Sequence, residues 1–349
     1  MSELSQTVSL RVAQWATGSV GAYSLRGIIQ HPHMELVAVR VYNPAKQGKD
    51  AGDLCAMPPT GILATRELAD IIAAKPDCVL YMPESTDVDD VCALLEAGVN
   101  VVTTRAEFFN PAMMRKCLRD RLEAACDKGG ASIHATGSSP GFITEALPIV
   151  LTSLARRLDF LGIDEFANCR EGCSQEMLTE VMGFGETPET FAKRDIAARD
   201  EVFEHSFGVL ASALGMPIDS FEVTSEVALC RQPTLLHTLT IPAGSVGGQR
   251  VSVTGLRDGL PFLRFRSNWF VTTDLEPTWD LRGDGWRVEV EGDTPLDLII
   301  NLAMPPESGF MASARYTAHR PLNAVPAVCA ATPGIVTTAD LPQIVARLA

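Results

Sequence analysis

Three polar segments, each directly after a short apolar run, carry the residues most able to bind a ligand or to move a proton. They are residues 16–21, 83–85 and 103–109. The first is rich in glycine, the second combines proline with serine, and the third holds two threonines, an arginine and a glutamate. Glycine-rich turns bind phosphates through backbone amides, and a carboxylate transfers protons. These residue types predict a nucleotide site with a proton-transfer group beside it.

The glycine-rich segment reads ATGSVG over residues 16–21 and follows the apolar run Leu10–Trp15. Its glycines match the second and third glycines of the dinucleotide-binding fingerprint, and an alanine stands at the place of the first. Such a turn lets the backbone approach a pyrophosphate, which amides at the start of the next helix then bind. The alternative is a tight turn without a ligand. The expected cofactor contacts are Thr17, Gly18, Ser19 and Val20.

The end of the second apolar run lacks the carboxylate that binds the adenine ribose of NAD. The chain reads YNPAK over residues 42–46, with Arg40 just before. Since no negative charge repels a 2′-phosphate and Lys46 is near, we expect NADP as the cofactor, with NAD as the alternative. In that alternative Lys46 is a solvated loop residue, and Asp50 or Asp53 supplies the acid. Asn43 and Lys46 are the expected contacts here.

Two later run ends are suited to bind the ribose and nicotinamide of such a cofactor. Ligands of open α/β sheets bind outside the carboxyl ends of the strands, where short hydroxyl and backbone groups are available. The expected contacts are Pro83, Ser85, Thr103 and Thr104.

Glu107 is the candidate catalytic residue. It stands between an alanine and the rings of Phe108 and Phe109 at the end of an apolar run. Such a carboxylate would be partly desolvated and suited to exchange protons near neutral pH. The alternative is an ordinary loop glutamate that pairs with Arg105, two positions earlier.

Residues 10–136 must position these groups, and their pattern is that of repeated βαβ units with a parallel, doubly wound Rossmann sheet. Amphipathic stretches alternate with the apolar runs and end at glycine or proline. The expected strands are Leu10–Trp15, Glu35–Tyr42, Cys78–Met82, Val99–Thr104 and Ala131–Ala135, and the expected helices are Val20–Gln30, Val88–Ala97 and Met113–Lys128.

The pattern changes after Gly141, where a second α+β domain with a mostly antiparallel sheet is expected. A helix over Ile143–Leu158, a strand over Leu161–Cys169 and a helix over Glu201–Leu214 precede β-rich stretches with tight turns. We expect a dinucleotide-binding domain over residues 1–140 and a substrate and dimerisation domain over 141–315. A helical segment over 316–349 is expected to return to the first domain.

Few other residues indicate chemistry. Phe142, Phe166 and Met177 could form an apolar substrate wall, although core packing explains them as well. His134 lies inside an expected strand and is interpreted as a core histidine. The histidines and cysteines show no metal-binding spacing, so no metal site is expected.

Composition excludes several classes of protein. The net charge of −14, from 29 basic and 43 acidic residues, opposes binding to nucleic acid or to anionic membranes. Nine cysteines without a CxxC pair suggest reduced thiols in the cytoplasm. The N-terminal segment Met1–Leu10 has no cationic start followed by an apolar run, and no stretch is long enough to span a bilayer.

Several segments together resemble the 2,4-diaminopentanoate dehydrogenase and native amine dehydrogenase family, which shares the dihydrodipicolinate reductase-like fold. They span nearly the whole chain: Gln14–Gly21, Asn43–Leu54, Val101–Phe109, His134–Phe142 and Asn323–Ala327. The resemblance implies an NAD(P)-dependent homodimeric enzyme that interconverts an amine with a ketone or aldehyde plus ammonia. It implies Glu107 as the catalytic carboxylate and adds Asn323 to the cofactor contacts. The histidine pair and lysine typical of true dihydrodipicolinate reductases are not found.

Two other functions remain open from the sequence. One is an NAD(P)H-dependent carbonyl or imine reductase that does not use free ammonia. The other is a dinucleotide-binding sensor without catalysis, which the presence of Glu107 disfavours.

Overall fold

Short strands and helices alternate along the chain in the computed structural model. The structure describes residues 9–171, 173–194, 197–236, 239–303 and 313–349, and of residues 197–201 it describes only the backbone. Most of the segment Met1–Leu10 therefore lies outside the described residues. The elements up to residue 135 are β1 (Leu10–Trp15), α1 (Ser19–Gln30), β2 (Met34–Arg40), α2 (Leu68–Ala73), β3 (Cys78–Tyr81), α3 (Val88–Glu96), β4 (Asn100–Thr103), α4 (Lys116–Gly129) and β5 (Ser132–Ala135).

The rest of the described chain is richer in strands. Its elements are α5 (Leu147–Thr152), β6 (Leu158–Asn168), α6 (Pro188–Phe191), α7 (Ala197–Leu214), β7 (Ser220–Cys230), β8 (Thr234–Leu235), β9 (Thr240–Ile241), β10 (Val246–Arg257), β11 (Leu260–Phe270), β12 (Leu275–Glu276), β13 (Gly285–Gly292), β14 (Leu296–Asn301), α8 (Ser313–Cys329) and β15 (Gly334–Val336).

The chain divides into two compact units. One comprises the residues up to Phe142 together with Ala314–Ala349, and the other comprises Ile143–Ser313. The first unit contains a six-stranded parallel sheet in the order β15-β5-β4-β3-β1-β2. The chain reverses direction across this sheet between β1 and β3, which makes that point the topological switch of a doubly wound fold. The predicted Rossmann sheet is thus confirmed.

Local sequence explains most of these elements. The central strands β3 and β5 are buried along their whole length, as expected for strands covered on both faces by helices. At the start of α3, the Asp87 side chain accepts hydrogen bonds from the amides of Asp89 and Asp90. Such a cap satisfies amides that a helix cannot bond internally.

The C-terminal segment differs from the expectation of a helix continuing to Leu348. The helix α8 begins at Ser313 and ends at Cys329, and the chain then forms the strand β15. This strand pairs in parallel with β5, with Val336 opposite His134. A strand of three residues is too short to show a period, so only its pairing with β5 identifies it.

The helix α8 is part of the core of the first unit. Its residues Leu322, Val325 and Val328 are buried in one cluster with Val12 of β1 and Leu80 of β3. Two prolines lie inside the helix, at 321 and 326, and each lacks the amide that would donate a backbone hydrogen bond.

The second unit contains a seven-stranded sheet in the order β12-β7-β10-β11-β6-β13-β14. All its pairings are antiparallel except that of β11 with β6. The rings of Phe203 on α7 and Phe265 on β11 stack with their centroids 3.8 Å apart. The predicted α+β domain with a mostly antiparallel sheet is therefore also confirmed.

The expected helix over Ile143–Leu158 is wrong in its extent. Regular α-helix covers only Leu147–Thr152, and Leu158 already belongs to β6. Before the helix, Ser139, Pro140 and Gly141 have non-helical backbone angles, and Gly141 has a φ of 115°. The run from Ile143 is thus helical, first as π-helix and then as α-helix, only up to Thr152, and the strand from Leu158 is a change that apolar spacing alone does not distinguish.

Three further observations concern the described residues. None of their helices has the length and apolar character that crossing a membrane requires. No group of three or more histidine, cysteine or acidic side chains among them is arranged to hold a metal ion. All nine cysteines are free thiols.

Candidate active site

The turn after β1 brings the glycine-rich segment to the edge of the sheet. Ala16 has a φ of 69°, in the left-handed region where glycine is favoured. The turn is held by hydrogen bonds on both sides of this residue: its amide donates to the Arg40 carbonyl at 2.9 Å, and its carbonyl accepts from Gln14 Nε2 at 2.9 Å. The first glycine of the fingerprint is thus replaced by an alanine in the conformation that glycine would adopt.

The two glycines of the turn have different roles. A Cβ on Gly21 would lie 2.3 Å from the Ala16 carbonyl oxygen, so a side chain there is incompatible with the approach of α1 to the turn. A Cβ on Gly18 would meet no atom within 4 Å. Gly21 is therefore required by packing, whereas the space in front of Gly18 is open to a ligand.

The N-terminus of α1 lies behind that open space. Gly18 is its N-cap, no side chain caps its first amides, and its first turn contains no acidic residue. The helix dipole and the amides near Ser19 and Val20 favour an anion at this position. The arrangement fits a pyrophosphate, as the glycine spacing predicts.

Lys46 reaches this turn from the segment after β2. Its Nζ donates to the Thr17 carbonyl at 2.8 Å and to Thr17 Oγ1 at 3.0 Å. Asn43 accepts from the Ala45 amide and so caps the short helical turn Pro44–Lys46. The ammonium of Lys46 is therefore held beside the glycine turn and is not a freely solvated loop charge.

The other charged residues of this region have structural roles. Asp50 accepts from the backbone amides of Gly52, Thr60 and Gly61, and these bonds, led by that of Thr60, lower the pKa of its carboxyl. Arg40 lies over the Trp15 ring at 4.2 Å and pairs with Asp90 at 3.2 Å. Arg40 therefore packs on Trp15 and pairs with Asp90, and Asp50 stabilises the loop that contains it.

The segments after β3 and β4 lie at the same edge of the sheet as the glycine turn. β1, β3 and β4 are consecutive neighbours, and the Met82 amide donates to the Trp15 carbonyl at 3.0 Å. Of the expected contacts, Ser85 is exposed and Thr104 half-buried, whereas Pro83 and Thr103 are buried. Ser85 and Thr104 can therefore offer hydroxyls to a ligand.

Glu107 lies in the short turn Ala106–Phe108 directly after β4. Its side chain is 30% exposed, and its Oε1 lies 3.3 Å from Arg105 Nη2. Phe108 and Phe109 are buried and anchor the turn to the protein interior. The structure thus contains the pair with Arg105 that the sequence left open, and places the carboxylate just beyond the carboxyl end of β4.

The remaining predicted site residues are on other elements. Asn323 is half-buried on α8 and lines a groove of about 800 Å³ between that helix and the C-terminal tail. Phe142 ends the first unit, with the Arg320 guanidinium 6.0 Å from its ring centroid. In the second unit, Met177 packs against a buried core cluster, and Phe166 lines a cavity of about 280 Å³ with mostly polar and charged walls.

His134 is a core residue, as the sequence indicated. It is fully buried in β5, its Nδ1 donates to the Val336 carbonyl at 2.8 Å, and burial lowers its pKa to about 4. The imidazole is therefore neutral at physiological pH.

Two residues support the site in ways that the sequence did not predict, although Arg105 is the partner that the sequence offered for Glu107. Gln14 is a buried amide that supports the glycine turn, and Arg105 makes three side-chain hydrogen bonds across the site. A glutamine inside an otherwise apolar strand, directly before a turn, is the signal that could have identified the first.

The chain has relatives among known proteins. Residues 142–349, more than half of the chain, match the 2,4-diaminopentanoate dehydrogenase C-terminal domain family. An amine dehydrogenase from Streptomyces virginiae is 26% identical over 342 residues, which cover 94% of this chain and 95% of that protein. A 2,4-diaminopentanoate dehydrogenase from Acetoanaerobium sticklandii is 22% identical over 288 residues, which cover 79% of this chain and 76% of that protein.

Among solved structures, the amine dehydrogenase from Mycobacterium smegmatis has the same fold. The TM-score is 0.77 at 20% sequence identity, and the match covers 97% of each chain. The resemblance seen in the sequence is thus confirmed, and the chain is an oxidoreductase that belongs to the 2,4-diaminopentanoate dehydrogenase family.

Proposed function

We propose that this protein is an NAD(P)H-dependent amine dehydrogenase, which aminates a ketone or aldehyde with ammonia and runs the reverse deamination. The observation that carries the proposal is the Glu107 carboxylate at the sheet edge that also holds the uncapped start of α1. The names of the two curated relatives support a dehydrogenase acting on amines.

The residues of the first unit fit a nicotinamide dinucleotide. The open space at Gly18 and the free amides of α1 suit the pyrophosphate, and the hydroxyls of Ser85 and Thr104 suit the ribose or the nicotinamide amide. When bound, the cofactor supplies the hydride.

We propose NADP as the preferred form of the cofactor. Lys46 is held beside the glycine turn, and Asp50, one of the two alternative ribose acceptors, already accepts from three backbone amides. A fixed ammonium close to the ribose site favours a 2′-phosphate, because a charge-assisted hydrogen bond to phosphate is stronger than a neutral one.

Glu107 would carry out two successive transfers of one proton in the reaction. Its carboxylate takes one proton from an ammonium ion, and the resulting ammonia attacks the substrate carbonyl to give a carbinolamine. The protonated Glu107 then returns that proton to the carbinolamine hydroxyl, which leaves as water. The iminium that remains accepts a hydride far better than the parent ketone does, and the ionised carboxylate stabilises its positive charge.

The proposed partners are small molecules and a second copy of the chain. The small molecules are a ketone or aldehyde, the corresponding amine and ammonia. The homodimer is carried over from the family resemblance, and a solution mass of twice 37.5 kDa is its expected signature.

The proposal predicts ammonium-dependent turnover. With cyclohexanone or a short aldehyde, NADPH oxidation by the purified protein should require ammonium at high pH, because free ammonia is the nucleophile. The measurement is the decrease in NADPH absorbance with and without ammonium. Equal rates in both conditions would instead identify a carbonyl or imine reductase.

The two glycines of the turn should separate binding from folding. Gly18→Ala should change stability by less than about 1 kcal/mol yet weaken dinucleotide binding at least about tenfold, because its methyl group occupies the phosphate space. Gly21→Ala should lower the free energy of unfolding by about 1–3 kcal/mol or more, because its methyl group clashes with a backbone oxygen. Urea unfolding and fluorescence titration measure these effects, and identical profiles for the two variants would contradict the assigned roles.

Lys46 should determine the preference for NADP. Lys46→Ala should weaken NADP binding by roughly 1–2 kcal/mol more than NAD binding, if its ammonium bonds the 2′-phosphate. Dissociation constants for both cofactors provide the measurement, and Lys49→Ala, which removes an exposed lysine of the same segment, is the control. A loss that is equal for both cofactors would show that Lys46 only supports the turn.

Removal of the Glu107 carboxylate should abolish most of the activity while leaving the fold intact. We expect Glu107→Ala and Glu107→Gln to lower the rate by roughly 100-fold or more, with unchanged dinucleotide affinity. Glu123→Gln, on the surface of α4, removes a carboxylate that also pairs with an arginine and is the matched control. An unchanged rate in the Glu107 variants would assign proton transfer to another group.

A further inference from the structure

Arg105 connects two loops of the candidate site through one guanidinium group. Its Nε donates to Thr86 Oγ1 at 3.0 Å and its Nη1 to the Glu84 carbonyl at 2.7 Å, both in the loop after β3. Its Nη2 donates to Glu107 Oε1 at 3.3 Å, in the turn after β4. The arginine thus bonds the loop that contains Ser85 and the candidate catalytic carboxylate at the same time.

The backbone of Arg105 is fixed as well. Its amide donates at 3.1 Å to the hydroxyl of Thr103, which is buried at the end of β4. The side chain therefore extends from the rigid end of a central strand, and only 28% of it is exposed. A planar guanidinium can direct three separate N–H groups in this way, whereas a lysine ammonium cannot reproduce the same geometry.

Stability alone does not account for this arrangement. Partly exposed ion pairs contribute on the order of 0–1 kcal/mol to folding. A glutamate side chain, in contrast, has several rotatable bonds, and a proton-transfer group must be held in one orientation to act efficiently. The ion pair favours one orientation of the Glu107 side chain. The two other hydrogen bonds of Arg105 fix the position of the loop after β3 relative to that side chain.

We propose that Arg105 is a positioning residue, which orients the Glu107 carboxylate and couples it to the loop after β3. The inference rests on the proposed amine dehydrogenase function. Because Arg105 acts through Glu107, its contribution to the rate is expressed only when that carboxylate is present. Its contribution to the order of the loop does not depend on catalysis and is measurable in the free protein.

Four variants test the proposal in the full-length chain: Arg105→Gln, Arg105→Lys, Glu107→Gln and the double variant Arg105→Gln/Glu107→Gln. We expect Arg105→Gln to lower kcat by about tenfold or more with little change in the KM for the ketone. Arg105→Lys should recover part of the loss, because its ammonium retains the charge pair but not the directed bonds. In the Glu107→Gln background, Arg105→Gln should lower kcat little further, because the effects of coupled residues are not additive.

A second measurement does not depend on activity. Amide hydrogen exchange over residues 84–87 of the free protein should be faster in Arg105→Gln than in the wild type, because that loop loses two hydrogen bonds. Arg119→Gln is the matched control, since this α4 arginine also pairs with a glutamate, Glu123, at 3.8 Å. The control should change neither kcat nor the exchange of this loop.

The possible failures are distinguishable. An unchanged kcat in Arg105→Gln, a loss equally large in the Glu107→Gln background, or unchanged exchange over 84–87 would each overturn the positioning role alone. Ammonium-independent turnover by the wild type would overturn the proposed function, and the role of Arg105 in it as well.

Discussion

The candidate site depends on how closely the first helix approaches the turn that precedes it. The helix α1 can begin directly behind β1 only because Gly21 has no side chain to meet the Ala16 carbonyl, which a Cβ would approach to 2.3 Å. The same turn requires a left-handed residue at Ala16, and the buried amide of Gln14 stabilises it from the strand side. This close packing aims the uncapped amides of α1 at the open space in front of Gly18.

The sheet topology then determines which other residues can contribute. Because β1 lies between β2 and β3, the turn after β1 is flanked by the segments that follow both neighbours. Lys46 reaches it from the β2 side, and the loop of Ser85 follows β3 on the other side. Glu107 follows β4, one strand further, and Arg105 bonds the two segments to each other. A site at such a switch point therefore combines loops that are distant in the sequence.

The net charge of the chain is −14, but individual ion pairs decide which charged side chains a ligand can contact. In the first unit, Arg40 is neutralised by Asp90 while Lys46 stays at the glycine turn. In the second unit, Asp164 accepts two bonds from Arg266 on the neighbouring strand β11, inside a cavity that several further arginines line. Buried charges of this kind are stable only when they are paired, so the location of partners decides which charges remain available to a ligand.

Features that depend on neighbours along the chain were predictable from the residues alone. The alternation of apolar runs with helical spacing identified the Rossmann strands, and the spacing of Gly18 and Gly21 identified the turn, because periodicity and turn chemistry are local properties. The segment after β4 was recognisable as a candidate site for the same reason: its threonines and Glu107 directly follow an apolar run.

Contacts between residues that are far apart in the chain became visible in the tertiary structure alone. In that structure β15 pairs with β5, some 200 residues away in the chain. Arg40 forms an ion pair with Asp90, and Arg105 donates a hydrogen bond to the loop after β3. The long-range hydrogen bonds and ion pairs behind these choices leave no trace in a local pattern of residue types. They form only when the sheet brings strand ends together, so the sequence could offer Glu107 and Arg105 as a pair but not the bonds that join Arg105 to the loop after β3.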